Sequence, residues 1–140
     1  MPFVLDASIA ACWAFADEDH PVAALALERM RTDAALVPSL WWFELRNTLI
    51  VSERRGRLTE TDTALFLREI ARLPITVDRT PGEAEVLMLA RRHRLTVYDA
   101  SYLALAQREG LPLATLDGAL REAARAARIS LLESAHRNEP

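Results

Sequence analysis

Three aspartates of this chain, Asp6, Asp99 and Asp117, each close a short apolar run. Each run has the length of a buried strand, and each aspartate is followed by a segment that suits a helix. Because the carboxyl ends of the strands in an open α/β sheet share one edge, we expect the three carboxylates to meet there. Like charges held close together need a divalent cation or shared protons, so the first interpretation is a metal site.

A plainer interpretation of each aspartate is a helix N-cap, because Asp is among the residues favoured at that position. A fourth carboxylate, Glu44, lies in the most apolar helical segment of the chain. Helical spacing places Asn47 on the same face as Glu44, where its amide can orient the carboxylate. The alternative for Glu44 is an exposed side chain on the outer face of the helix.

Two hydroxyl side chains lie two residues from these aspartates: Ser8 follows Asp6, and Thr115 precedes Asp117. They either face the same cavity, where they bind a water or a phosphate oxygen, or serve local capping and strand packing. An oxygen-only set of ligands selects hard cations such as Mg²⁺ or Mn²⁺. Mg²⁺ held by a few carboxylates generally acts on phosphates, so the predicted chemistry is hydrolysis of a phosphate ester.

The other metal-binding residue types show no comparable pattern. Cys12, His20, His93 and His136 lack the spacing of a zinc site, and we expect them to be structural or surface residues. A single cysteine cannot form an internal disulfide, so the fold must be stable without one, as is usual for proteins of the cytosol. The chain starts without the pattern of a signal peptide and has no apolar stretch long enough to span a membrane. The sequence therefore predicts a soluble, cytoplasmic protein.

All 17 basic residues other than histidine are arginines. The absence of lysine excludes Schiff-base catalysis and a Walker-type phosphate loop, and it argues against a receiver-like phosphotransfer domain. A net charge of −3 argues against nonspecific coating of nucleic acid. Local arginine clusters at 54–57 and 91–94 either bind phosphate through their planar forks or form solvated helix ends.

Short apolar strands alternate with helices along all 140 residues. This pattern predicts a single α/β domain with a parallel sheet of about five strands and helices on both faces. Strands are expected at 3–5, 36–37, 75–77, 113–116 and 129–132, with 95–98 extended as a strand or a straight loop. Helices are expected at 8–15, 21–30, 39–56, 59–73, 81–94, 100–109 and 120–127, followed by a frayed tail from 136 to 140.

Four motifs of the chain resemble those of PIN-domain ribonucleases. They are Val4-Leu5-Asp6-Ala7-Ser8, Glu44-Leu45-Arg46-Asn47, Tyr98-Asp99-Ala100 and Ala114-Thr115-Leu116-Asp117. Their order, their spacing and the total length are closest to VapC-type toxins of toxin–antitoxin pairs. The resemblance covers essentially the whole chain, 1–140, as one PIN-like nuclease domain.

The resemblance implies a Rossmann-like parallel sheet and Mg²⁺- or Mn²⁺-dependent endonucleolytic cleavage of RNA. It makes Asp6 and Asp99 the main metal ligands, with Glu44 and Asp117 completing the acidic site and Thr115 supporting it. It also implies a homodimer held inactive by a cognate antitoxin, whose peptide segment occupies the groove. The alternatives are an RNA-binding or regulatory protein that keeps the fold without turnover, and a structure-specific DNA nuclease with the same metal site.

The segment Trp41-Trp42-Phe43 opens the helix that carries Glu44. Aromatic residues of this kind are more often core than interface, yet this helix is apolar on more than one face. Part of it is therefore expected to be covered by another chain, either a second copy or the antitoxin.

Overall fold

The fold rests on a four-stranded parallel sheet in a computed structural model that describes residues 1–133. The strands follow the spatial order β3-β2-β1-β4, and every pair is parallel. They are β1 (Phe3–Leu5), β2 (Ala35–Pro38), β3 (Ile75–Asp78) and β4 (Leu113–Ala114). The predicted α/β class with a parallel sheet is confirmed. His136 and the tail predicted to fray lie outside the described residues.

Seven helices are formed within residues 1–133, and several begin or end at the signals expected from the sequence. Pro21 occupies the first turn of its helix, and Thr59 and Asp62 exchange both hydrogen bonds of a capping box. The helices are α1 (Ala7–Cys12), α2 (Pro21–Arg29), α3 (Leu40–Arg54), α4 (Glu60–Ile70), α5 (Glu83–His93), α6 (Val97–Glu109) and α7 (Gly118–Ala126).

The fifth predicted strand, 129–132, is reduced to an isolated parallel bridge between Leu113 and Leu131. Its main-chain bonds run from Leu113 N–H to Ser130 O and from Leu132 N–H to Leu113 O, each at 2.9 Å. Because β4 itself has only two residues, it offers this segment a single pairing position. The sheet therefore has four strands rather than about five.

The segment 95–98 was expected to be extended, and this expectation is wrong for its second half. α6 begins at Val97, and Thr96 is its N-cap, with the hydroxyl accepting the N–H of Asp99 at 3.0 Å. Val97 and Tyr98 are more than half exposed, so the apolar run is not a buried strand. The capping pattern of Thr96 outweighs the apolar run, and Asp99 lies in the first turn of a helix.

The core lies on both faces of the sheet. All three residues of β1 are completely buried, as expected for the centre of a parallel sheet covered by helices. On α6, Tyr102 and Leu103 are also fully buried, so this helix packs into the core along most of its length. None of the helices within residues 1–133 combines the length and apolar character needed to cross a membrane.

Candidate active site

Asp6 follows β1 directly and is hydrogen-bonded to the sheet, because its main-chain N–H donates to Ala114 O of β4 at 2.9 Å. Its side chain is buried and accepts two hydrogen bonds on one oxygen. Thr115 Oγ1 donates to Asp6 Oδ2 at 2.6 Å, and Ser8 Oγ donates to the same atom at 2.8 Å. The carboxylate is therefore held in one orientation by a hydroxyl of α1 and a hydroxyl of the residue that follows β4.

The same two hydroxyls also accept main-chain donors. The N–H of Leu116 donates to Ser8 Oγ at 3.1 Å, and the N–H of Asp117 donates to Thr115 Oγ1 at 3.0 Å. Each hydroxyl is thus supplied with one donor and gives its own proton to Asp6, which fixes the direction of both bonds. Both hydroxyls thus bond to the Asp6 carboxylate itself, a role that neither interpretation from the sequence had specified.

The three aspartates differ in how they meet the N-cap interpretation. Asp117 is a helix cap, since its Oδ2 accepts the N–H of Leu120 at 2.8 Å. Asp6 stands at the N-cap position of α1 but makes no side-chain capping bond. Asp99 is inside α6, where Thr96 is the cap. Local capping therefore explains one of the three carboxylates and leaves two to be explained.

Glu44 is half-buried on α3, and Tyr102 Oη of α6 donates to its Oε1 at 2.6 Å. The partner expected from the sequence was Asn47, but Asn47 is exposed and Tyr102 takes that role. Tyr102 was missed because 58 positions separate it from Glu44. The signal that could have pointed to it is the tyrosine at the head of the apolar stretch 102–106, because a buried tyrosine hydroxyl needs a partner.

Each of the four carboxylates lies within electrostatic range of at least two of the others. Burial raises the pKa of Asp6 above its usual value. The hydrogen bonds from Thr115 and Ser8 lower this pKa in part, and the negative charge of Asp117 raises it further. Burial also raises the pKa of Glu44, with a further rise from the charges of Asp6 and Asp99. For Asp99, burial and then the charges of Asp117 and Asp6 raise the pKa. The site is thus an assembly of mutually repelling groups.

No arginine or histidine within residues 1–133 forms an ion pair with Asp6, Glu44, Asp99 or Asp117. The donor atoms are all oxygens, which suits a hard cation. In the same part of the chain, no three of these carboxylates bring oxygens within 4.8 Å of one another. With the side chains in these positions, an ion at the site is bound directly by no more than two of the carboxylates. Mg²⁺ suits such a site, because it usually binds one or two carboxylates and keeps several waters.

One trio of metal-binding side chains does meet that distance, and it lies outside the acidic site: Cys12, Glu18 and His20. Cys12 is buried and His20 is exposed, as expected of structural and surface residues, but the sequence did not predict that they lie close together. Their order in the chain, with five residues between cysteine and glutamate and one between glutamate and histidine, matches no familiar zinc spacing. The loop that follows α1 brings them together.

Exposed aromatic and basic side chains stand beside the acidic residues in sequence. Trp41 is buried, but Trp42 and Phe43 are 48% and 69% exposed immediately before Glu44. The guanidinium of Arg46 lies 3.9 Å from the ring centre of Trp42. Tyr98, just before Asp99, is 64% exposed. The aromatic stretch is therefore divided between core and surface.

The arginines of the two predicted clusters differ in whether they contact other side chains. In the first cluster, Arg57 pairs with Asp17 and Glu18 and stacks on Phe15, which makes it a structural residue. Its neighbours, and the arginines at 91, 92 and 94, are exposed. Exposure fits both interpretations of these arginines, a phosphate contact and a solvated helix end.

The PIN domain family profile matches residues 3–126 of the chain. The chain belongs to the PIN domain family. It is 35% identical to Ribonuclease VapC3 of Pyrobaculum aerophilum over 126 residues, which is 87% of this chain and 94% of that protein. The predicted resemblance to PIN-domain, VapC-type proteins is confirmed.

Two solved structures share the fold. The crystal structure of PAE2754 from Pyrobaculum aerophilum superposes with a TM-score of 0.70 at 26% identity, covering 88% of this chain and 84% of that chain. The structure of Mycobacterium tuberculosis VapC20, described as a sarcin-ricin loop cleaving toxin, gives a TM-score of 0.64 at 15% identity. That match covers 94% of this chain and 99% of VapC20, and it concerns the fold alone.

Proposed function

We propose that this protein is a metal-dependent endoribonuclease that hydrolyses RNA phosphodiester bonds in the cytoplasm and acts as the toxin of a toxin–antitoxin pair. The observation that carries the proposal is the buried Asp6 carboxylate, oriented by Ser8 and Thr115 within a centre of four acidic groups. Membership of the PIN family and a relative named as a ribonuclease support the same assignment.

In this proposal Asp6 and Asp99 hold the divalent cation, Mg²⁺ or Mn²⁺. Glu44 and Asp117 complete the negative pocket and orient water beside the scissile phosphate. When bound, the cation polarises a phosphoryl oxygen and neutralises the charge that develops in the transition state. The same ion would relieve the repulsion among the four carboxylates, so we expect its binding also to favour their ionised form.

The supporting residues act by fixing the acids in place. Ser8 of α1 and Thr115, which follows β4, hold Asp6, and Tyr102 holds Glu44. An oriented carboxylate loses less entropy when it binds an ion or a water, which is why such partners matter for catalysis. Tyr102 takes over the part that the sequence assigned to Asn47.

Exposed aromatic rings next to Glu44 and Asp99 in sequence, and exposed arginines elsewhere on the surface, suit RNA in a single-stranded or looped form. Bases that are free of a helix can stack on rings such as Phe43 and Tyr98, while guanidinium groups contact the backbone. Phosphate contacts of this kind position the strand without reading its sequence.

The proposal includes two protein partners, a second copy of the chain and a cognate antitoxin. The exposed Trp42 and Phe43 form an apolar surface on α3 that a second chain can cover. Light scattering at micromolar concentration is expected to give the mass of a dimer, and a stable monomer would contradict the self-association. Co-expression with the antitoxin is expected to suppress the toxicity of the active chain.

The deciding experiment is digestion of total cellular RNA with purified protein, followed by mapping of new 5′ ends. Cleavage is expected in Mg²⁺ or Mn²⁺, and chelation is expected to abolish it. Asp6→Asn is expected to bind RNA but to cut it far more slowly, while Asp19→Asn, which changes an exposed aspartate outside the site, is expected to cut at the normal rate.

The same experiment separates the alternatives. Binding of RNA without products in any ion would favour a regulatory role. Preferential cutting of branched or single-stranded DNA in a parallel digestion would favour a DNA nuclease.

A further inference from the structure

A second group of metal-binding side chains lies at the opposite end of α1 from Asp6. Cys12 is the last residue of α1, Glu18 lies in the loop 13–20, and His20 is the residue before α2. One ligand atom from each of the three lies within 4.8 Å of the other two. We propose that Cys12, Glu18 and His20 bind a transition-metal ion, with Zn²⁺ preferred.

The chemistry of these donors differs from that of the acidic site. A thiolate, an imidazole and a carboxylate are the ligand types of zinc, whereas magnesium selects oxygen alone. Tetrahedral zinc, with bonds of about 2.0–2.3 Å, separates neighbouring ligand atoms by roughly 3.5 Å. His20 Nε2 and Glu18 Oε1 are already 3.8 Å apart, so only a small closure of the trio is required.

Arg57 holds one carboxylate oxygen of Glu18 and leaves the other oxygen facing His20. Arg57 Nη1 donates to Glu18 Oε2 at 3.1 Å, and the same guanidinium stacks on the ring of Phe15 at 4.0 Å. The other oxygen, Oε1, is the one that faces His20. Such an outer partner orients a metal ligand without occupying its binding atom.

Cys12 is buried, and its thiol donates to the main-chain oxygen of Ser8 at 3.3 Å. Burial and the neighbouring Glu18 raise the pKa of the thiol to about 11, so without a metal the sulfur keeps its proton. Binding of Zn²⁺ breaks the S–H bond, forms the S–Zn bond and releases one proton to solvent. The redox state of the sulfur does not change.

The trio is closed on the side of Cys12 and open on the side of His20, whose side chain is 45% exposed. Three protein ligands with an accessible fourth position leave room for a water or an external ligand. The ion would also tie the end of α1 to the start of α2 across the loop 13–20. We therefore expect Zn²⁺ to raise the melting temperature.

Cobalt offers a direct test, because Cys12 is the only cysteine of the chain. Titration of the full-length, reduced protein with Co²⁺ is expected to give a thiolate-to-cobalt absorption band at one equivalent, which added Zn²⁺ displaces. Cys12→Ser is expected to abolish the band and the stabilisation by Zn²⁺. Glu18→Gln and His20→Gln are expected to weaken binding by about tenfold or more, since even outer-shell changes cost about 10–100-fold.

Asp19→Asn is the matched control, because it makes the same charge change in the same loop at an exposed position. It is expected to bind Co²⁺ like the unmodified protein, and circular dichroism checks that every variant is folded. Absence of the band in the reduced protein, or a band unchanged in both Glu18→Gln and His20→Gln, would overturn the proposal. Asp6→Asn is expected to keep the band, so this test stands apart from the ribonuclease assignment.

Discussion

The two ends of α1 carry two different kinds of donor set. The acidic site next to Asp6 collects only oxygens, from residues spread between positions 6 and 117. The trio that begins with Cys12 collects sulfur, nitrogen and oxygen from a single stretch, 12–20. The first set exists only when the whole sheet is formed, while the second depends on one loop. Ion choice is therefore expected to differ completely over the length of one short helix.

The two sets also differ in electrostatic balance. Around the acidic site, burial and mutual repulsion raise the pKa of three carboxylates, and no ion pair relieves them in residues 1–133. In the trio, the charge of Glu18 is shared with Arg57. Without a cation, the acidic site therefore lowers the stability of the folded protein more than the trio does.

The largest expected effect is on catalysis. Asp6→Asn keeps an acceptor for Ser8 and Thr115 but removes a charge at the cation site. We expect RNA cleavage to fall by about 10²–10³-fold, the usual cost of losing one preorganised electrostatic contact. The rate of product formation from a defined RNA in Mg²⁺ measures this, with Asp19→Asn as control. Cleavage at an undiminished rate would remove Asp6 from the active site.

The next effect concerns which ion stabilises which site. Mg²⁺ at 100 times its Kd is expected to stabilise the folded protein by about 2.7 kcal/mol, through binding to the native state alone. The double variant Asp6→Asn, Asp99→Asn is expected to lose this stabilisation while keeping that of Zn²⁺. Cys12→Ser is expected to show the reverse. Thermal unfolding with each ion tests the pair, and loss of both responses in either variant would mean that the two sites are not separate.

A smaller effect is the dependence of stability on pH. The unfolded chain ionises Asp6 near its ordinary pKa of 3.8, while the folded state holds that pKa higher. As the pH rises past 3.8, Asp6 loses its proton in the unfolded state before it does so in the folded state. The free energy of unfolding therefore falls with rising pH, and the whole of this loss is present above the folded pKa. At pH 7 with chelator, Asp6→Asn is therefore expected to melt at a higher temperature than the unmodified protein.

That difference is expected to shrink as the pH is lowered towards 3.8 and when Mg²⁺ neutralises the site of the unmodified protein. Differential scanning calorimetry over this pH range measures it. A lower melting temperature for Asp6→Asn at pH 7 in chelator would show that the hydroxyl bonds outweigh burial and repulsion.

The smallest effects distinguish the two partners considered for Glu44. Tyr102→Phe removes one hydrogen bond inside the fold and is expected to cost about 1 kcal/mol of unfolding free energy. Asn47→Ala changes an exposed residue and is expected to stay within about 0.5 kcal/mol. Urea denaturation measures both changes. If Tyr102 positions Glu44 for catalysis, Tyr102→Phe also shifts the pH profile of cleavage, which Asn47→Ala leaves unchanged.

What the sequence predicted well were the features that depend on neighbouring residues. The burial of β1, the capping box at Thr59 and Asp62, and the placement of Asp6 and Asp117 after strands all follow from local patterns. The start of α6 was misjudged because an apolar run and a capping threonine compete over the same residues, and solvent exposure decides between them.

The features that were missed depend on distance in space. Tyr102 meets Glu44 only because α6 and α3 approach one another in the fold. Cys12, Glu18 and His20 are close in sequence, but their side chains converge only through the path of the loop 13–20. Neither contact has a fixed sequence spacing, so spacing alone could not have predicted either of them.

The hydrogen bond from the Asp6 amide to β4 has a consequence for inhibition. This bond joins the residue after β1 to β4, the edge strand of the four-stranded sheet, so we expect the amide hydrogen to exchange with deuterium more slowly than those of the neighbouring loops. Local breathing of the surrounding loops then leaves the backbone of this acid in place. An inhibitor of such a site works by covering the carboxylate, since pulling it out of line would require dismantling the sheet.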